Sequence, residues 1–391
     1  MALGKMRHAL LADNAVASTS APHFPCLLMP MSASHTASTP CPVCGSQAIE
    51  SIARVDGKTG ETLLTVNCSA CGLGRIDPLP TQPELEAWYT HRYRQDYKQA
   101  VSPALRHVLR AGRNALDRWG WLQTQLAQGV GHLPSSAVTL DIGASSGEFV
   151  DLMRQRGMQA HGIEPHAGYA AHARETLGLS VEHGALHQVL PRQADQRFDL
   201  ISMFHVLEHL VDPVETLRLF ARKVSPQGLL LIEVPNATRF CAPRYMFFRA
   251  HTLYFTQASL HQTLRAGGWS VVAHNHADDD NLMVLARPAP DPGAAHVPVR
   301  WQPGRALIEA QNRRTWPAYL ADQLRSGRWL RKLRQRQEEK KTVRGVSSAR
   351  SLLDALYQDD LRLPGAPAAA PGRVQSTRLQ ALAAGGAEHR G

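Results

Sequence analysis

The chain has 391 residues, 43% hydrophobic and 19% charged, with a formal net charge of +10. This length suits one large domain with a smaller one, or two to three domains, and the composition is that of a soluble globular protein. No apolar run approaches the ~18 residues of a membrane span. The opening stretch, MALGKMRHALLADNAVASTSAP, lacks an apolar core followed by a cleavage site, so a cytoplasmic setting is expected rather than export. The positive balance is compatible with nucleic acid, nucleotide-sugars or membrane surfaces and does not choose among them.

Residues 1–38 are rich in Ala, Ser, Thr, Pro and His without a sustained period, and are expected to be disordered. CPVCGS and CSACGL then set Cys41, Cys44, Cys68 and Cys71 in two CxxCG turns. The interval ESIARVDGKTGETLLTVNC reads as a hairpin with a Gly-Lys-Thr-Gly turn. Each CxxC turn aims two thiolates at one point, and two such turns close a tetrahedral zinc site. Four thiolates leave no open position, so this zinc is expected to be structural. Four unrelated buried cysteines are the alternative. Residues 39–77 are thus read as a zinc ribbon, with Cys26 and Cys241 outside it.

After a Pro-bounded loop, Thr81 followed by Glu84 and Glu86 marks a helix start, and Trp88, Tyr89, Tyr93 and Tyr97 follow as an aromatic cluster. A basic amphipathic segment runs from Pro103 to about Gln128, carrying Leu105, Val108, Leu109, Leu116, Trp119, Leu122 and Leu126. Residues 78–135 therefore read as a helical linker packed on the main domain, or a lid over its ligand.

From residue 136 to 288 strands and helices alternate. Strands are expected at Val138–Ile142, Ala160–Ile163, Ser180–Glu182, Phe198–Phe204 and Gly228–Val234. Helices are expected at Glu148–Arg156, Ala167–Leu177, Pro213–Val224 and around Leu260–Ala266. This alternation marks an α/β, doubly wound, Rossmann-like sheet. The last two strands, Trp269–His274 and Leu282–Ala286, are joined by Asp278-Asp279-Asp280-Asn281 as a hairpin, so one edge strand should run antiparallel. Residues 289–363 read as a Pro-rich linker and basic helical patterns, Ala306–Gln335 and Ser347–Leu361, separated by a highly charged stretch. Residues 364–391 are low-complexity and expected to be disordered.

The chemistry concentrates in VTLDIGASSGEFV, Val138 to Val150: a strand, a turn of small residues and a helix start. Small residues let a ligand approach the backbone, and a helix N-terminus offers unpaired N–H groups. Unlike G-x-G-x-x-G, this turn has an acid, Asp141, two positions before its first glycine. A carboxylate there repels pyrophosphate but suits a ligand with an ammonium and a sulfonium. AHGIE ends a second strand in Glu164, about 20 residues on, where an acid takes ribose hydroxyls. FDLISMFHVLEHLVDP carries a further strand into the same crevice.

The motifs LDIGASSGEF, HGIEPH, FDLISMFHVLEHLVDP, SPQGLLLIEVPN and HTLYFTQASLHQTLRAGGW resemble, in order, class I S-adenosylmethionine-dependent methyltransferases. The last three together resemble the UbiE/UbiG-like branch, particularly bacterial members with an N-terminal zinc ribbon, some of which are sugar C-methyltransferases. The resemblance covers about residues 41–290 and implies a seven-stranded sheet and S-adenosyl-L-methionine as cofactor. One departure stands in the loop, where Ser145 replaces a frequent glycine. The resemblance implies that Asp141, Gly143, Ala144 and Gly147 hold the methionine moiety. It further implies that Glu164 binds ribose, that Ala185 and Leu186 (after Gly184) flank adenine, and that Phe204 and His205 close the site.

Methyl transfer needs an aligned nucleophile and, for many acceptors, removal of its proton. His205, Glu208 and His209 are base candidates, although the same HxxEH spacing also suits turn-fixing or a metal. His251 and Tyr254, in AHTLYFT, form a second candidate pair. The leading reading is methyl transfer to an O or C nucleophile of a small-molecule or glycan/nucleotide-sugar-type acceptor. An RNA methyltransferase gripping RNA through ribbon and basic tail is a second reading, and a non-catalytic binding module a third. An anionic partner for the basic C-terminal helices is compatible with each.

Overall fold

The computed structural model describes residues 39–88, 102–192, 196–289 and 304–361. The chain divides at Ala37/Ser38, and all these residues belong to the second part. The segments expected to be disordered, 1–38 and 364–391, and Tyr89, Tyr93 and Tyr97 lie outside the described residues.

Three short antiparallel strands come first: β1 (Ile49–Val55), β2 (Thr62–Cys68) and β3 (Gly74–Ile76). The β1–β2 hairpin turns at Gly57-Lys58-Thr59-Gly60, as its sequence predicts. Asp56 Oδ1 accepts the N–H groups of Lys58 and Thr59 at 2.8 and 3.0 Å. Helix α1 (Gln82–Trp88) starts at Thr81, whose N–H donates to Glu84. Helix α2 (Leu105–Ala127) buries Val108, Leu109, Leu116, Trp119 and Leu122. This is the stripe expected of a packed amphipathic segment.

The alternating region comprises β4 (Val138–Ile142), α3 (Glu148–Gln155), β5 (Gln159–Glu164), α4 (Ala167–Ala171), β6 (Ser180–His183), α5 (Leu186–Val189), β7 (Phe198–Phe204), α6 (Pro213–Lys223) and β8 (Val224–Pro235). Then come β9 (Leu253–Tyr254), α7 (Gln257–Ala266), β10 (Trp269–His274) and β11 (Asn281–Pro288). Seven strands form one sheet in the order β10-β11-β8-β7-β4-β5-β6. The β6-to-β8 strands are parallel, whereas β11 runs antiparallel to both β8 and β10. The antiparallel strand expected from the final hairpin is therefore present at that edge. Strand order reverses between β4 and β7, so a ligand crevice opens beyond their carboxyl ends.

Two local expectations change. The single helix expected over Ala167–Leu177 is α-helical only to Ala171 and π-helical over His172–Thr176. The strand expected from Gly228 begins at Val224.

The sheet is covered on both faces. One layer joins α2 and α3 through Leu109, Trp119, Phe149 and Val150, and the other joins α6 and α7 through Leu217, Phe220, Leu260 and Leu264. The ribbon is fused to this body. Cys41, Cys68, Cys71 and Leu73 belong to the same apolar cluster as Phe220 and Leu260. Strand β9 pairs with β3 and completes a four-stranded sheet, so the HTLYF segment is held by the ribbon.

Four helices finish the described chain: α8 (Ala306–Arg313), α9 (Trp316–Ser326), α10 (Arg328–Thr342) and α11 (Ala349–Leu361). The charged stretch expected to separate two helical patterns is itself helical, as α10. Helix α8 packs on the ribbon, where a Cβ on Gly74 would stand 2.3 Å from Leu307. Helix α11 buries Leu352, Leu353, Leu356 and Tyr357 beneath α2. No described helix is long and apolar enough to cross a membrane.

Candidate active site

The β4–α3 turn is shaped by backbone conformations that suit glycine. Gly143 and Gly147 have φ of 73° and 95°. A Cβ would stand 2.4 Å from Val206 at Gly143 and 2.6 Å from Leu179 at Gly147. Ser145, which replaces the frequent glycine, also has a positive φ of 51°, so the loop keeps a glycine-like course. Gly143 and Ala144 donate their N–H groups to Ile163 O at 2.8 and 3.0 Å, tying the turn to β5.

Asp141 is buried at the end of β4 and accepts a 2.7 Å hydrogen bond from Ser202 Oγ. Burial raises its carboxyl to about 7, against the pull of Ser202 and Arg118. Among the described residues it makes no ion pair. Glu164 is buried at the end of β5. Its two oxygens accept the N–H groups of Ser145 at 2.8 Å and His166 at 2.7 Å. Those bonds fix the carboxylate at the lip of the crevice. Ala185 and Leu186 follow β6, half-buried beside this end of β5. Phe204 ends β7, with its ring edge-on to Phe149 at 4.9 Å. The residues expected to bind cofactor thus converge on the carboxyl ends of β4, β5, β6 and β7.

The base candidates also converge, in distinct states. His205 has a φ of 56°, and its N–H donates to Glu233 O at 2.8 Å. Its ring lies between two buried carboxylates, with Nδ1 3.4 Å from Glu208 and Nε2 3.3 Å from Glu233. Burial lowers its pKa, but Glu208 and Glu233 together outweigh that and raise it to about 9. His205 is therefore an imidazolium at neutral pH. His209 Nδ1 lies 2.6 Å from Ala250 O, and its ring meets His251 at 4.9 Å. Burial, reinforced by the neighbouring His209 ring, Lys58, His205 and Arg239, lowers His251 well below the usual histidine range. Glu208, His209 and His251 place one carboxylate oxygen and two ring nitrogens within 4.8 Å of one another, a donor set that also suits a divalent ion. Tyr254 is a brace: its hydroxyl donates to Phe248 O and accepts from Phe248 N–H, both at 2.9 Å.

A cavity of about 190 Å³ opens beside His205, walled by Lys58, Arg239, Tyr245, Phe248 and His251. Three of the site's residues escape sequence reasoning. Lys58 reaches the cavity from the ribbon hairpin, 3.5 Å from the Phe248 ring centroid, and burial lowers it to about 8. Arg118, on α2, lies 4.0 Å over the Phe204 ring and donates to Glu233 at 2.6 Å. Glu233 also accepts from Asn281 at 2.7 Å. Burial pushes Glu233 up, but His205 and Arg118 hold it down to about 2. A lone acid inside the apolar run LLLIEVP is the one sequence signal that could have found it.

The four ribbon cysteines lie together, Cys41 Sγ 3.6 Å from Cys71 Sγ and Cys44 Sγ 3.5 Å from Cys68 Sγ. All four sulfurs fall within 4.8 Å of one another. Sulfurs on a tetrahedral zinc stand about 3.8 Å apart.

Residues 118–274 match the family model of a methyltransferase domain. This stretch of the chain is a methyltransferase domain. This domain is 25% identical over 154 residues to a ubiquinone biosynthesis O-methyltransferase of Rhizobium etli, covering 37% of this chain and 62% of the relative. It is 31% identical over 102 residues to the enzyme of that name from Pseudomonas fluorescens, covering 25% and 44%. The chain therefore spans roughly half the length of these curated relatives. A solved methyltransferase from Mesorhizobium loti superposes with a TM-score of 0.34 at 16% identity, over 40% of this chain and 93% of that one. The methyltransferase domain takes its fold from the sheet order above.

Proposed function

We propose that the protein transfers a methyl group from S-adenosylmethionine to an oxygen or carbon nucleophile of a small-molecule or glycan-type acceptor. One observation carries the reading. Asp141 is a buried carboxyl group that makes no ion pair among the described residues, set at the mouth of a glycine-built cradle and close to a second acid, Glu164. Such a pair suits a ligand with a cationic amino-acid end and a ribose. Asp141, Gly143, Ala144 and Gly147 would hold the methionine portion, Glu164 the ribose hydroxyls, Ala185 and Leu186 the base. Phe204 would close the pocket. When bound, the cofactor supplies an electrophilic methyl on sulfur.

The chain's own residues would align the acceptor and move its proton. His205, already protonated and clamped by Glu208 and Glu233, holds the cavity wall in place. His251 stays neutral in the same cavity and is the better proton acceptor. Lys58 and Arg239 would take an anionic group of the acceptor. The ribbon cysteines would hold one structural zinc ion, and a cytoplasmic setting suits their reduced state.

The test is incubation of the protein with the cofactor and fractionated small-molecule extract, read by mass spectrometry. The expected outcome is one species gaining a methylene increment while S-adenosylhomocysteine accumulates. Cofactor binding with no turnover in any fraction would instead support a binding module.

A further inference from the structure

Helices α9 and α10 stand apart in their packing. Among the described residues none of α9 is buried, and in α10 only Glu339 is. Yet Trp316, Leu320, Leu324, Trp329, Leu330 and Leu333 are all large, apolar and 44–77% exposed. Their spacing is ordered. Trp316, Leu320 and Leu324 fall at successive intervals of four, and Trp329, Leu330 and Leu333 at intervals of three and four. Each set therefore shares one helix side. Helices of 11 and 15 residues gain little stability in water unless an apolar side is covered.

Side-chain ties hold the pair to the body at both of its ends. Before α9, the buried Arg314 donates to Ala237 O and to Arg239 O. Near the end of α10, Glu339 pairs with Arg110 at 2.5 Å. Between these ties the chain bends at Gly327, whose φ is 59°. The stretch 316–342 carries eight basic against three acidic side chains, with Arg328, Arg331, Lys332 and Arg334 clustered around the α10 apolar stripe.

We propose that α9 and α10 form a docking surface for an anionic lipid bilayer. Tryptophan and leucine would enter the headgroup boundary, while arginine and lysine meet anionic headgroups. A second copy of this chain is disfavoured, because a two-fold contact would set the same cations against themselves. RNA is the poorer match, because stacking on bases does not use leucine stripes.

The test is sedimentation of the full-length protein with vesicles, either pure phosphatidylcholine or an equimolar mixture with phosphatidylglycerol. Expected is binding to the mixed vesicles only, weakened by salt. Arg331→Glu and Lys332→Glu should each weaken it about fivefold or more. Leu320→Ser/Leu324→Ser should weaken it by about tenfold or more with unchanged circular dichroism. No sedimentation of the parent with mixed vesicles, or variants that sediment like the parent, would overturn the proposal. So would concentration-dependent dimerisation, seen by light scattering, that Leu324→Ser abolishes.

Discussion

Lys58 of the ribbon hairpin stands 3.5 Å from the centre of the Phe248 ring, inside the cavity that His205 and His251 also line. The ribbon is thereby part of the site. Its tip is seated against residues 244–249: Gly57 N–H donates to Phe247 O at 2.7 Å, and Arg249 N–H donates to Asp56 at 2.8 Å. A Cβ on Gly57 would overlap Arg244 O.

Replacing Lys58 by Met should therefore act on the acceptor. A charge-assisted hydrogen bond contributes about 1.5–3 kcal/mol. The acceptor KM should rise about tenfold or more while cofactor affinity stays within about twofold. Steady-state kinetics with the acceptor found by mass spectrometry checks this. A change in cofactor affinity alone would place Lys58 elsewhere in the mechanism.

Removal of one ribbon sulfur, by Cys68→Ser, should abolish the zinc expected at one ion per chain. Because β9 pairs with β3, the loss should also loosen the His251 segment. Elemental analysis of parent and variant, with proteolysis mapping of residues 244–256, measures both effects. A metal-free parent that is fully folded would rule out a zinc ribbon.

The Asp141 carboxyl makes a pH-dependent contribution whose sign is set by burial. Its pKa rises from 3.8 to about 7 on folding. The associated stability is fully present below 3.8 and is lost as pH rises through about 7. Asp141→Asn should accordingly gain on the parent in thermal stability at about pH 8, by ~2–4 kcal/mol. It should also weaken cofactor binding. Melting curves across that range, with and without cofactor, separate the two effects.

His205 should give stability that declines in alkali. Its pKa rises from 6.5 to about 9 because Glu208 and Glu233 overcome the effect of burial. The contribution is complete below 6.5 and disappears as pH passes about 9. His205→Asn, which leaves Glu208 without its closest cation, should be less stable than the parent at neutral pH. It should approach the parent above about pH 9. Parallel slopes for the two proteins would contradict the ion-pair assignment.

Much of this site could be read from the sequence, because its parts are local. Asp141 through Gly147 is one turn, and Glu164 ends the next strand, so each is fixed by its own short stretch. The four cysteines announce themselves by spacing. Lys58, Arg118 and Glu233 are different: they reach the site from a hairpin, a helix and a distant strand. Only the three-dimensional course of the chain brings them together. The same holds for His205. Its residue type suggests a base, but the two carboxylates that keep it protonated come from the turn after β7 and from β8. Burial of α11 against α2 was equally hidden, since its leucines fit any amphipathic helix.

The proposed function requires Asp141 and Glu164 to build a site for S-adenosylmethionine. Calorimetric titration of the parent and of Glu164→Ala tests it most directly. The parent should show one site per chain, and affinity should fall about tenfold or more when the carboxylate is removed. A parent that gives no binding heat at several temperatures, or a Glu164→Ala variant with unchanged affinity, would contradict it.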